Sequence, residues 1–166
     1  MFAKKRLVRL EETLEIEYEK LDVFQKDLAM SDSPTKKFEL NQRIKREILP
    51  SIHKHETDYL NLLNQEAGAF DISEQQASQA IAEVTPHVAE ITTDGNKNYP
   101  PEVLEILREI LTILNASGQS PGAKLKTTLP ILPPIISYEV EIDTQGSLMK
   151  IYQILTRPFK SKKKHT

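Results

Sequence analysis

Residues 7–28 read LVRLEETLEIEYEKLDVFQKDL, and their apolar members decide the fold. Leu7, Leu10, Leu14, Leu21, Phe24 and Leu28 are separated by 3, 4, 7, 3 and 4 residues, interrupted at Glu17. That spacing lines them up in one narrow stripe along a helix, as in a coiled coil. Ser31-Asp32-Ser33-Pro34 then makes a turn, with Ser33 as N-cap and Pro34 at the first helical position. A second helix follows, with Phe38, Leu40, Ile44, Ile48, Ile52, Tyr59 and Leu63 as its buried side. Pro50 lies inside it, removes a backbone donor and crowds the carbonyl four residues back, so a kink is expected near Leu49. Two long amphipathic helices joined by a short turn predict an antiparallel, coiled-coil-like hairpin over residues 1–66.

Beyond the hairpin, residues 67–157 predict a small α-rich region. Ser73 and Gln76 form a capping box that opens a helix carrying Ala77, Ala80, Ile81, Val84 and Val88, with Pro86 limiting or kinking its last turn. Pro100-Pro101 opens another, whose Val103, Leu104, Leu107, Ile110, Leu111 and Leu114 form a broad buried face. Over 125–143 the pattern turns extended. Ile136, Tyr138, Val140 and Ile142 alternate with polar residues, the signature of a strand with one wet face. Leu125–Leu132 could run beside it as an edge, since Pro130 and Pro133 forbid a central place. An amphipathic helix over 146–157 carries Leu148, Ile151, Tyr152 and Leu155, and residues 158–166 form a basic tail. The fold class expected is mainly α: a helical hairpin plus a small helical region with a short C-terminal β element.

Composition narrows the chemistry. The 166 residues hold 22 Lys+Arg and 24 Asp+Glu but no Cys, which removes disulfides, thiolate metal sites and cysteine nucleophiles. Five glycines leave little material for phosphate-cradling loops. Residues 1–66 hold 12 basic and 13 acidic side chains, residues 67–157 hold 6 and 11, and the tail holds four lysines and no acid. The overall charge of −2 is therefore the sum of a highly charged hairpin, an acidic middle and a basic end. Acidic residues interrupt the N-terminal sequence before an apolar signal core can develop, and no run reaches the roughly 20 apolar residues of a spanning helix. A soluble, unprocessed, cytoplasmic protein is expected.

Three stretches resemble sites and are read otherwise. His53-Lys54-His55-Glu56-Thr57-Asp58 suggests a metal cluster, but histidines two apart on a helix point to nearly opposite sides, so solvated helix surface is expected. Gly118-Gln119-Ser120-Pro121-Gly122-Ala123-Lys124 approaches a phosphate loop, yet it has three residues between the glycines and Ala123 before the lysine, so it reads as a linker. Asp94, Asn96, Asn98, Glu102 and Glu105 occupy positions 1, 3, 5, 9 and 12 of a calcium-loop register. Position 6 is Tyr99, where the loop needs glycine, so a polar turn is expected instead.

Two segments together resemble a helical-hairpin module of multidomain cyanobacterial proteins. They are Asp32-Ser33-Pro34-Thr35-Lys36-Lys37-Phe38-Glu39-Leu40-Asn41-Gln42-Arg43-Ile44 and the stretch Leu129–Asp143. In those proteins the module accompanies Toll/interleukin-receptor-like, caspase-like or STAND-type ATPase domains. This chain has no Walker loop and no caspase Cys/His pair. The resemblance thus implies an adaptor-like role in conflict or death-type signalling, and no catalytic residue carries over.

The function expected is non-enzymatic protein–protein interaction without a cofactor or metal. The partner would be a second copy or a cognate effector hairpin, contacted through Leu10, Leu14, Leu21, Phe24 and Leu28 with Phe38, Ile44 and Ile48 facing them. The same stripe could instead close the hairpin on itself. The alternative is peripheral membrane association through the C-terminal amphipathic helix with Lys160, Lys162, Lys163 and Lys164. Nucleic acid is not expected, given the acidic remainder and the lack of a stacking motif. The residues do not define a small-molecule ligand.

Overall fold

A computed structural model describes residues 2–66, 71–93, 99–136 and 147–160. These are mainly helical, and the chain divides into two compact units, residues 1–59 and 60–166.

In the first unit, α1 (Phe2–Met30) is followed by α2 (Pro34–Arg43), a π-helical turn (Ile44–Ile48) and the first part of α3 (Leu49–Glu66). The turn forms as its residues dictate. Ser33 is extended and its hydroxyl accepts the Lys36 amide at 3.3 Å, with Pro34 occupying a first-turn position that needs no donor. α1 packs along α2 and the π turn. Leu7, Leu14, Leu21, Ile44, Ile48, Ile52 and Tyr59 are buried in this unit. The irregularity expected near Leu49 takes the form of the π turn, where the Leu49 amide donates to the Ile44 carbonyl. Widening the helix there relieves the crowding that the Pro50 ring imposes on the carbonyl of Arg46.

The second unit begins within α3, whose Leu60, Leu62 and Leu63 are buried. Its hub is α4 (Glu74–Thr93), which packs against α5 (Pro101–Asn115), α6 (Pro121–Thr128), α8 (Ser147–Thr156) and a terminal 3-10 turn (Arg157–Phe159). Ser73 caps its start, its Oγ accepting the Gln76 amide at 3.3 Å. Ala77, Ala80, Val84, Val88 and Ile91 form the buried row of α4, and Val103, Leu107, Ile110 and Leu114 that of α5. α4 continues seven residues beyond Pro86 to Thr93, so that proline does not end it. Two buried threonines satisfy themselves locally: Thr128 donates to the Lys124 carbonyl and Thr156 to the Tyr152 carbonyl, each at 2.8 Å.

The extended segment expected over 125–143 requires correction across 125–136. Leu125–Leu132 is helical, divided between α6 and a 3-10 turn (Leu129–Ile131), and α7 (Pro133–Ile136) follows. No strand occurs among the described residues. The prolines that suggested an edge strand sit instead in first helical turns, where a missing amide costs nothing. Leu125, Leu129, Leu132 and Ile135 are all buried, so the apolar run serves the core as successive short helical turns. The alternating residues Tyr138, Val140 and Ile142 lie outside the described residues, as do Asp94, Asn96 and Asn98.

The phosphate-loop-like stretch is a helix-to-helix turn. Gly118 has φ +92°, the left-handed region, and Ser120 Oγ caps α6 by accepting the Ala123 amide at 3.3 Å. Lys124 Nζ donates to the Leu114 carbonyl at 3.1 Å, satisfying the last turn of α5. The position an anion would take at the start of α6 is filled from within the chain: Gly122 donates its amide to Glu74 Oε2 at 3.0 Å. A Cβ on Gly122 would stand 2.8 Å from Glu74 Oε1, so alanine there pushes the carboxylate away. Glu74→Ala is expected to cost about 1 kcal/mol in the wild-type chain. In a Gly122→Ala background it should cost much less, and a double-mutant cycle by urea denaturation reads the difference. Equal costs in both backgrounds would show that the contact contributes nothing.

Candidate interaction surface

The eight residues expected to meet a partner divide sharply. Leu14, Leu21, Ile44 and Ile48 are buried within the first unit, while Leu10, Phe24 and Leu28 are half-buried. Phe24 lies beneath the Arg43 guanidinium, 5.1 Å from ring centroid to cation. Phe38 alone is exposed, at 65%. Most of that stripe is therefore used inside the unit.

A polar seam runs beside it that the sequence reading missed. Tyr59 donates its hydroxyl to Glu11 Oε2 at 3.1 Å, and Tyr18 donates to Glu56 Oε2 at 2.6 Å. Glu17, which interrupts the apolar rhythm, accepts from Ser51 Oγ and lies 2.6 Å from His55 Nδ1 through its other oxygen. The expectation of solvated surface over His53–Asp58 is corrected in part, since Lys54 and Asp58 are exposed but Glu56 is fully buried. Its Oε2 is satisfied from the opposite helix by the Tyr18 hydroxyl. With the Glu17 carboxylate between Ser51 and His55, the imidazole is not poised to take the serine proton as in a nucleophilic triad. Each of these bonds joins a side chain of α1 to one of α3.

Tyr59 carries the clearest electrostatic signature. Burial, then the negative charge of Glu11 and its hydrogen bond, raise the phenol pKa far above its ordinary value. Because the folded chain holds that proton more tightly, its contribution to stability is intact below about pH 10 and declines above it. The decline is about 1.4 kcal/mol per pH unit for one proton. Tyr59→Phe is expected to flatten the fall in stability between about pH 10 and 12, read by chemical denaturation, and an unchanged slope would refute this origin.

Among the described residues, four large apolar side chains are exposed: Ile16 at 66%, Val23 at 53%, Met30 at 82% and Phe38 at 65%. Three of them recur at intervals of seven along α1. The available signal was the same spacing that revealed Leu7, Leu14 and Leu21, displaced by two residues. Two residues correspond to about 200° around a helix, so the second row lies opposite the first.

In the second unit, a groove of about 470 Å³ lies against α4, lined by Gln76, Gln79, Glu83, Arg157, Pro158 and Lys160. Glu83 and Arg157 pair across it at 2.9 Å. Lys160 is half-buried, and Lys162, Lys163 and Lys164 lie outside the described residues. Among the described residues no three His, Asp or Glu side chains converge as metal ligands, and no helix is long and apolar enough to cross a membrane. Comparison with family models, curated proteins and solved structures returned no match.

Proposed function

We propose that this chain is a non-enzymatic protein–protein interaction module of the adaptor class. Its first unit would be a self-closed helical hairpin that offers the outer face of α1 to a protein partner. The observation carrying this reading is the exposed row Ile16, Val23 and Met30, accompanied by exposed Phe38, on a unit whose other apolar stripe is largely used inside. Single exposed apolar residues are ordinary, but three at seven-residue intervals share one face of the helix, spaced about 10.5 Å apart. The resemblance of Asp32–Ile44 to hairpin modules of cyanobacterial signalling and conflict proteins agrees with this role.

A protein partner accounts for the molecule better than lipid does. Leu148, Ile151, Tyr152, Ile154 and Leu155 of α8 are buried in the second unit, which leaves a membrane little more than lysines to hold. Those contribute about 1 kcal/mol each near an anionic surface. The test is a photo-cross-linking amino acid at position 23, activated in the native cell, with exposed position 150 on α8 as control. Discrete adducts at 23 and not at 150, whether with this chain or another protein, are expected. Equal or absent adducts at both positions would overturn the proposal.

A further inference from the structure

We infer that the outer row of α1 pairs with a second copy of this chain, antiparallel and centred on Val23. The inference rests on the interaction reading above and names its partner. Ile16, Val23 and Met30 are exposed, and the residues beside them are charged in a definite order. Lys20 and Asp27 flank the row on one side, four residues after Ile16 and Val23. Glu19 and Lys26 flank it on the other, three residues after the same two. All four flanking side chains are exposed. Asp22 lies 3.0 Å from Lys26, a solvated pair with both side chains more than half exposed, so Lys26 can exchange it for another carboxylate.

Two-fold antiparallel pairing keeps each flank against itself while reversing its direction. Val23 meets the partner's Val23, and Ile16 meets the partner's Met30. Lys20 then comes beside the partner's Asp27, and Glu19 beside the partner's Lys26. Symmetry doubles both, giving four opposite-charge contacts along the two flanks. A parallel arrangement also brings Lys20 beside the partner's Glu19 and Asp27 beside the partner's Lys26, but it sets Arg9, seven residues before Ile16, against the partner's Arg9, which disfavours it. In the antiparallel arrangement Arg9 lies beyond the partner's Met30. With three apolar side chains per copy the contact is far smaller than the roughly 1,600 Å² of a standard stable interface, so the pairing is weak and reversible.

The natural absence of cysteine makes the geometry directly readable, since each introduced thiol is the only one in the chain. Val23→Cys in the full chain, under mild oxidation, is expected to form a disulfide dimer readily. Ile16→Cys alone and Met30→Cys alone should remain monomeric, because 14 residues place each about 21 Å from its own counterpart, and a disulfide needs Cα atoms within about 7 Å. Mixing those two variants should restore cross-linking. Lys20→Glu added to Val23→Cys should lower the dimer yield severalfold, and the further change Asp27→Lys should recover it. Self-linking by all three single variants would overturn the antiparallel arrangement. A Val23→Cys yield no higher than that of exposed Lys150→Cys would overturn pairing altogether. If position 23 also captured a different protein in the cell, the interaction reading would survive that loss.

Discussion

Leu21→Glu is expected to unfold the first unit, whereas Val23→Glu, two residues further along the same helix, is expected to leave it folded. Leu21 is 7% exposed and belongs to the row that α1 presents to its own unit, while Val23 is 53% exposed on the reverse. A carboxylate at 21 must be buried without a built partner or must force the helices apart, at a cost of about 3–5 kcal/mol. That is a large share of the whole stability of an ordinary domain. At 23 the same carboxylate stays in water and costs within about 0.5 kcal/mol. Hydrogen exchange separates the two, since Leu21→Glu should expose amides across residues 7–59 and Val23→Glu should not. Loss of protection in both variants would mean that the outer row is also part of what holds the unit together.

The second large effect concerns the carboxylate inside the seam. Tyr18→Phe removes the hydroxyl that donates to Glu56 at 2.6 Å while keeping the ring. Glu56 is fully buried, so water cannot replace the donor without opening the unit. The expected loss is about 1–3 kcal/mol, the range for leaving a buried acceptor without its donor. Pairing the change with Glu56→Leu should recover at least about 1 kcal/mol, because an apolar pair removes the desolvation cost along with the bond. Thermal unfolding followed by circular dichroism measures both. Equal stability of the single and double variants would show that the carboxylate is not what suffers when the hydroxyl goes.

Much of the helical framework was legible because local chemistry fixes it. The Ser33-Pro34 turn, the Ser73 cap of α4 and the apolar rows of α4 and α5 each depend on residues within a turn or two of one another. Leu125–Ile136 was misread because a short apolar run with several prolines has no clear period, and proline is as much at home in a first helical turn as on a sheet edge. Glu56 was misread for a different reason. Among His53, Lys54, His55 and Asp58 a carboxylate looks solvated, and its partner Tyr18 is 38 positions away in sequence. The outer row was visible in principle, since its spacing repeats that of the inner one. What periodicity could not supply was which of two opposite rows the chain keeps for itself.

The π turn has a consequence for phase. Leu40, Ile44, Ile48, Ile52 and Glu56 follow one another at strict four-residue steps, and all but the half-buried Leu40 are buried. On a regular α-helix each such step overshoots a full turn by about 40°, so a long series would wind away from α1 like a screw thread. The wider turn at Ile44–Ile48 takes back part of that rotation. It lets Ile44 and Glu56, three turns apart, face the same neighbour. The obstruction raised by Pro50 thus doubles as a timing correction.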